Sequence, residues 1–147
     1  MEREDFSQEV FEFYRLNNFS PGWFNEDQPT ADALNLLEII SHAEQEGLNS
    51  FDYKYPDIAN RLLQYAFSSE EKSNRVITEI DLDLTSACLN YARHLHKGNV
   101  HSGNFYNKYE LLENTGYYGR ILYQNLHKNQ FKHFFNELTP KILNIPG

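Results

Sequence analysis

One stretch of fifteen residues, LTSACLNYARHLHKG, constrains the fold more than any other part of the chain. Its apolar residues recur at intervals of three and four, the period of a helix with one face in a core. Thr85 stands where a side chain could cap the first turn, after Asp81 and Asp83, whose negative charges suit the start of a helix. Gly98 stands where a left-handed residue could end the helix. We therefore expect the central helix of a helical domain here, with structural roles for Thr85, Tyr91 and Gly98. Its opposite, outward face carries the basic residues Arg93, His94 and Lys97, which we consider as an interface with a partner domain.

Shorter segments with the same period occur along the rest of the chain. With 147 residues, only seven Gly and five Pro, the sequence favours one domain over residues 1–147 and leaves little room for a turn-rich β architecture. The prediction is an all-α, compact single domain of about seven or eight short helices. The helices are expected at 6–16, 29–47, 56–67, around 76–80, 85–97, 106–113, 119–128 and 130–138, with a brief extended piece just before residue 84.

Charge is spread unevenly along the chain. The formal net charge is −8, which disfavours general binding to a nucleic-acid backbone. Residues 1–83 hold 6 basic and 18 acidic side chains, a net charge of −12, whereas residues 84–147 hold 7 and 3, a net charge of +4. Two partner surfaces would produce this asymmetry, and so would electrostatic complementarity within the fold, which we favour.

The sequence offers little for catalysis or for metal binding. Cys88 is the only cysteine and lies on the apolar face of the predicted central helix, so we expect a core residue rather than a nucleophile. His94 and His96 would point to different sides of a helix and could not share one ion. We expect no catalytic residue, no cofactor and no metal site.

The loop NNFSPGWFNEDQPT contains the single tryptophan, Trp23. A tryptophan in a loop can be a stacking platform for a sugar, or it can be a plug that pins the loop to the core. We favour the buried anchor, and we assign the same structural role to Tyr53 in the later connector. Glu26 and Asp27 beside the tryptophan are a carboxylate pair that a glycosidase could use, but a solvated loop is the simpler interpretation.

Nothing in the sequence predicts a membrane span, because no run of about 18 apolar residues occurs. The first residues, MEREDFSQEV, are acidic where a signal peptide would be basic and then apolar. The chain is therefore expected to be either cytoplasmic or the part of an exported protein that remains after processing.

The order of local motifs resembles the N-terminal scaffold domain of the large periplasmic murein L,D-transpeptidases. The relevant segments are FYRLNNFSPGWF, EQEGLNSFDY, DLDLTSACLNYARHLHKGNV and FFNELTP, in that order over almost the whole chain. Departures from the family pattern fall in turns, at Ser50, Asn99 and His101-Ser102. The matching positions are Tyr14, Trp23, Gly47-Leu48, Tyr53, Leu84-Thr85, Tyr91-Ala92, Leu95, Gly98, Val100, Leu138 and Pro140.

This resemblance implies a non-catalytic domain that positions the catalytic and peptidoglycan-binding parts of a cell-wall cross-linking enzyme. Its implied partners are those two domains of a parent transpeptidase, with peptidoglycan itself as a further candidate, and its implied location is the periplasm. The cysteine nucleophile of such enzymes stands in a Ser-His-Gly-Cys context that is absent here. The alternative is a free-standing helical adaptor that binds another protein through its acidic half; an independent hydrolase is disfavoured.

Overall fold

The computed structural model describes residues 2–67, 73–99 and 115–138, which form six α-helices and one small hairpin. The predicted all-α class is confirmed. The helix predicted at 106–113 lies outside the described residues. The helices are α1 Glu2–Leu16, α2 Ala31–Ser41, α3 Tyr55–Phe67, α4 Asn74–Asn99, α5 Tyr117–His127 and α6 Phe131–Leu138. The antiparallel strands are β1 Phe24–Asn25 and β2 Gln28–Pro29, and two 3₁₀ turns span Ala43–Glu46 and Ser50–Tyr53.

Helix α4 is the structural centre, because it contacts every other described α-helix. It is 26 residues long, far longer than expected, and it begins eleven residues earlier than we predicted. Ser73 caps it, accepting hydrogen bonds from the N–H groups of Arg75 (3.1 Å) and Val76 (3.3 Å). The prediction that Thr85 is the N-cap was wrong, as was the extended piece before residue 84. The acidic residues that suggested a helix start instead lie within the helix.

The other end of α4 also differs from the prediction. Gly98 lies inside the helix, which ends at Asn99, so this glycine does not terminate it; a helix tolerates an isolated glycine at modest cost. The predicted outward basic face is less exposed than expected, since Arg93 and His94 are half-buried. Surrounded by five helices, α4 is buried on most of its circumference. Its buried side chains are Ile77, Ile80, Asp81, Leu84, Thr85, Ala87, Cys88, Leu89, Tyr91, Ala92 and His96.

The first half of the chain forms its helix ends as the sequence chemistry requires. Thr30 caps α2, accepting a hydrogen bond from the N–H of Ala33 at 3.2 Å. The first 3₁₀ turn follows α2 and ends at Gly47, whose φ of +79° is the left-handed conformation that glycine adopts without strain. The helical segment therefore begins at Thr30 and ends at Gly47, close to the predicted limits of 29–47. The α-helix α2 itself is shorter than predicted and ends at Ser41.

Helices α1 and α5 pack against each other at very short range. A Cβ atom on Gly119 of α5 would lie 2.2 Å from the backbone oxygen of Glu9 on α1, so only glycine fits. The buried Glu9 carboxylate accepts hydrogen bonds from the N–H groups of Gly116 (2.9 Å) and Gly119 (3.0 Å). Both N–H groups lie in the first turn of α5 and have no acceptor within that helix, and a negative charge is favoured at this end. A side chain of α1 thus fixes the first turn of a helix more than a hundred residues away.

Candidate functional site

A buried polar cluster joins the loop after α1 to the middle of α4. We call it the Asp81 cluster; it consists of Tyr14, Gly22, Trp23, Asp81 and Thr85. The Asp81 carboxylate accepts hydrogen bonds from the Tyr14 hydroxyl (2.5 Å), from Gly22 N–H (3.0 and 3.1 Å) and from Trp23 N–H (2.8 Å). Trp23 Nε1 donates to Thr85 Oγ1 at 2.9 Å. Two residues predicted as anchors, Trp23 and Thr85, therefore meet in one site.

With the Asp81 carboxyl ionised, the hydroxyl protons of this cluster have one consistent arrangement. Tyr14 gives its single proton to Asp81, so the contact of 2.7 Å between the Tyr14 and Thr85 hydroxyls must use the proton of Thr85. Thr85 in turn accepts the indole proton of Trp23. The chain of donors therefore runs from Trp23 through Thr85 and Tyr14 to Asp81, and each member has a partner.

Burial governs the electrostatics of the cluster. It raises the pKa of Asp81, while the hydrogen bonds from Tyr14, Gly22 and Trp23 oppose that rise. Burial and the neighbouring Asp81 raise the pKa of Tyr14. Trp23 is 0 % exposed and stacks edge-on against Phe131, with 5.4 Å between ring centroids. Asp81, Thr85 and Trp23 are buried while Tyr14 and Gly22 are half-buried, and their hydrogen bonds join the loop after α1 to α4.

A second set of predicted residues meets on the other side of α4. The Tyr53 hydroxyl lies 2.9 Å from His94 Nδ1, and the Tyr53 ring packs edge-on against Tyr91 at 5.3 Å. Burial raises the pKa of Tyr91 to about 12. Arg93 donates to Asn90 Oδ1 at 3.0 Å. Of the three residues predicted as a basic interface, His94 and Arg93 thus engage neighbours in the fold, and the side chain of Lys97 is outside the described part.

Cys88 and His96 were predicted to be neither a nucleophile nor a metal ligand, and both lie in the described part of the chain. Cys88 is fully buried, and burial raises the pKa of its thiol well above the ordinary value, which disfavours the nucleophilic thiolate. His96 is also buried, with Nδ1 at 3.0 Å from the hydroxyl of Tyr118.

Among the residues that the structure describes, no three His, Cys, Asp or Glu side chains group as metal ligands would. No helix in those same ranges has the length and apolarity to cross a membrane.

Sequence reasoning missed the polar residues on which the packing depends most. Asp81 follows Ile77 and Ile80 and precedes Leu84, so it lies on the apolar face once the helix is extended back to residue 74. That position is the signal that could have identified a buried acid. Glu9 lies at helical spacing from Phe6 and Phe13 in the same way. The role of Gly119 had no local signal, because its close contact is with a distant helix.

These features define a class: an all-α domain whose buried polar residues bind its own backbone and side chains. Within that class, the family model described as Scaffold domain matches residues 8–143, and the chain belongs to this family. No curated protein and no solved structure matches the chain.

Proposed function

We propose that the chain is the non-catalytic scaffold domain of a cell-wall L,D-transpeptidase and positions the catalytic and peptidoglycan-binding parts of that enzyme. The observation that carries the proposal is the Scaffold domain match over residues 8–143. It agrees with the order of motifs from Tyr14 to Pro140 that resembles the scaffold region of those enzymes. A periplasmic location and a role in cell-wall biogenesis belong to the same proposal.

Hydrogen bonds between segments that are distant in sequence support a positioning role. A domain that holds other domains in register has to keep its own surfaces fixed. The Asp81 cluster ties the loop at residues 22–23 to α4, and Glu9 ties α1 to α5. Tyr53 and His94 tie the second 3₁₀ turn to α4. Every one of these contacts links segments that are distant in sequence, so each restricts relative motion of the elements.

The proposal is tested by mixing this chain with the separately produced catalytic portion of the parent transpeptidase and measuring their association by co-purification at two salt concentrations. We expect a 1:1 complex. If charged side chains at the edge of the interface speed the association, the complex weakens as the salt concentration rises. The basic residues Arg93, His94 and Lys97 are one proposed contact. Arg93→Gln removes the charge at the half-buried Arg93, with Arg75→Gln at the exposed start of α4 as its matched control, and we expect only the first to weaken the complex. Absence of any complex at low salt would contradict a scaffold that binds the catalytic portion directly.

The free-standing adaptor is the competing function. It predicts association with an unrelated protein through the acidic half and no association with a catalytic portion. The mixing experiment separates the two, since only the scaffold proposal requires the 1:1 complex.

A further inference from the structure

Two groups of elements that pack against α4 carry charges of opposite sign. Residues 26–57, which include α2 and both 3₁₀ turns, hold eight acidic side chains and one basic side chain, a net charge of −7. Residues 115–136, which include α5 and most of α6, hold three basic side chains and no acidic one, a net charge of +3 with histidine neutral. In a chain whose net charge is −8, the second segment is a local exception to the acidic character of the protein.

These opposite charges do not neutralise each other inside the fold. Every ion pair between two described residues joins side chains that lie within residues 12–83. In the described part of the chain, no carboxylate of residues 26–57 therefore pairs with a cation of residues 115–136. The electrostatic complementarity within the fold that we favoured from the sequence is not formed by these two segments, and both keep their charge for contacts outside the fold.

The basic side chains of the second segment cluster at the turn between α5 and α6. We call this cluster the basic turn; it consists of His127, Lys128, Lys132 and His133, all of them exposed. Neither lysine forms an ion pair with any described residue. Two ammonium groups and two imidazoles within seven residues, with no carboxylate in their own segment, attract an anionic surface.

The two 3₁₀ turns of the first segment present the opposite charge around one exposed ring. We call this region the acidic surface; it consists of Glu44, Glu46, Phe51 and Asp52. The Glu44 carboxylate accepts hydrogen bonds from the N–H of Ser50 at 3.0 Å and from its hydroxyl at 3.2 Å, which brings the two turns together. Phe51 is 70 % exposed beside these carboxylates. An aromatic ring with carboxylates next to it suits a lysine, whose stem is apolar and whose ammonium group is charged.

We propose that the basic turn of one copy of this chain binds the acidic surface of a second copy, so that the copies associate head to tail. The chain supplies both halves of the contact, and their charges are opposite. The net charge of −8 makes two copies repel at long range, but salt screens this repulsion beyond about 8 Å at physiological ionic strength. At contact the local charges decide, and the lysine stems cover the ring of Phe51.

The form of the assembly follows from the use of two different surfaces. Such a contact is heterologous, so each pair of copies leaves one surface of each kind unused and further copies can add at either end. Exposed ion pairs are individually weak, and we expect a dissociation constant of about 10–1,000 µM. The proposal concerns contacts between copies of this chain and does not depend on the proposed transpeptidase role.

The test is sedimentation velocity of the purified chain between about 10 µM and about 1 mM, in about 0.15 M and about 1 M salt. We expect the weight-average sedimentation coefficient to rise with protein concentration at the lower salt and to stay at the monomer value at the higher salt. A chain that remains monomeric at the lower salt, as it would if each surface served a different protein, would overturn the proposal. Association that resists the higher salt would overturn it too, because charge would then not be its basis.

Two charge-reversal variants test the surfaces separately. Lys128→Glu with Lys132→Glu makes the net charge −12, and Glu46→Lys with Asp52→Lys makes it −4. We expect each variant to associate about tenfold more weakly, or less. Because their net charges change in opposite directions, net charge cannot explain both losses. An equimolar mixture should associate again, since each variant keeps the surface that the other needs. No recovery in the mixture, or a loss in one variant alone, would show that these two surfaces do not bind each other.

The matched control is Arg75→Glu with Glu79→Lys, which reverses an exposed ion pair at the start of α4 and keeps the net charge at −8. It should associate as the wild type does, and an equal loss in this control would contradict the assignment of the surfaces. Thermal unfolding followed by circular dichroism checks that each variant is folded. If Lys128→Glu with Lys132→Glu does not fold, Lys128→Gln with Lys132→Gln takes its place and should also weaken association.

Discussion

At the residue scale, Thr85 and Asp81 show how a few buried hydrogen bonds fix a loop of fourteen residues to a helix. The loop backbone at Gly22 and Trp23 donates to Asp81, and the Trp23 indole donates to Thr85. A buried donor that loses its acceptor costs about 1–3 kcal/mol, which is more than the net worth of the bond itself. The cluster is therefore sensitive to the loss of a single oxygen.

Replacing Thr85 by Val keeps the shape of the side chain and removes the hydroxyl. We expect a loss of about 2 kcal/mol in the free energy of unfolding, because the Trp23 indole N–H stays buried without an acceptor. Urea denaturation followed by tryptophan fluorescence measures it. The matched control is Thr78→Val at an exposed position of the same helix, which should change stability by no more than about 0.5 kcal/mol. Equal effects of the two changes would show that the cluster adds nothing to stability.

His96 makes a second prediction at this scale, concerning pH. Burial lowers its pKa to about 4 from the ordinary 6.5. Between these values the unfolded chain binds a proton that the folded chain does not, so stability is lost as the pH falls from 6.5 to 4. The contribution is at most about 3 kcal/mol.

The measurement for His96 is the difference in unfolding free energy between pH 6.5 and pH 4. Replacing His96 by Gln should shrink this difference, whereas His133→Gln, at an exposed position, should leave it as in the wild type. Comparing variants in this way cancels the pH dependence of other groups such as Asp81. An unchanged pH difference in the His96 variant would show that the imidazole is not the source.

At the scale of elements, the contact of α1 with α5 depends on one glycine. In an ordinary helix interior, Gly→Ala stabilises by up to about 1 kcal/mol. In Gly119→Ala the new methyl would lie 2.2 Å from the backbone oxygen of Glu9, so the two helices must move apart. We expect destabilisation by about 2–3 kcal/mol, opposite in sign to the helix propensity.

Gly47→Ala is the comparison for this change. The space around Gly47 is open, but its φ is +79°, so we expect a loss of about 1 kcal/mol from backbone strain alone. Thermal unfolding of both variants measures the effects. A Gly119→Ala protein as stable as the wild type would mean that the two helices are not in this close contact.

The same elements show how far the sequence predicts the fold. The helix class, the cap at Thr30 and the left-handed Gly47 follow from local chemistry and are present. The start of α4 was misplaced because Asp81 and Asp83 look like residues before a helix, and nothing local shows that Asp81 accepts hydrogen bonds from a loop 58 residues away. The contact of Glu9 with α5 is equally invisible in local sequence. Local signals predict elements, whereas the tertiary partners of buried polar groups depend on the assembled fold.

At the scale of the whole molecule, the part of the chain that the structure describes is organised as one helix held by five others and by a loop. The hydrogen bonds described above between distant segments lie mostly in the interior. Such an arrangement agrees with the proposed role of keeping other components in place. The family match over residues 8–143 agrees with that organisation.

The central claim is that this chain assists a catalytic partner without reacting itself. The most direct measurement is the yield of cross-linked muropeptides made by the separately produced catalytic portion, with and without this chain added. We predict that the chain raises the yield until it is equimolar with the catalytic portion, and that the chain alone makes no product. An unchanged yield at every ratio, or product formed by the chain alone, would contradict the account.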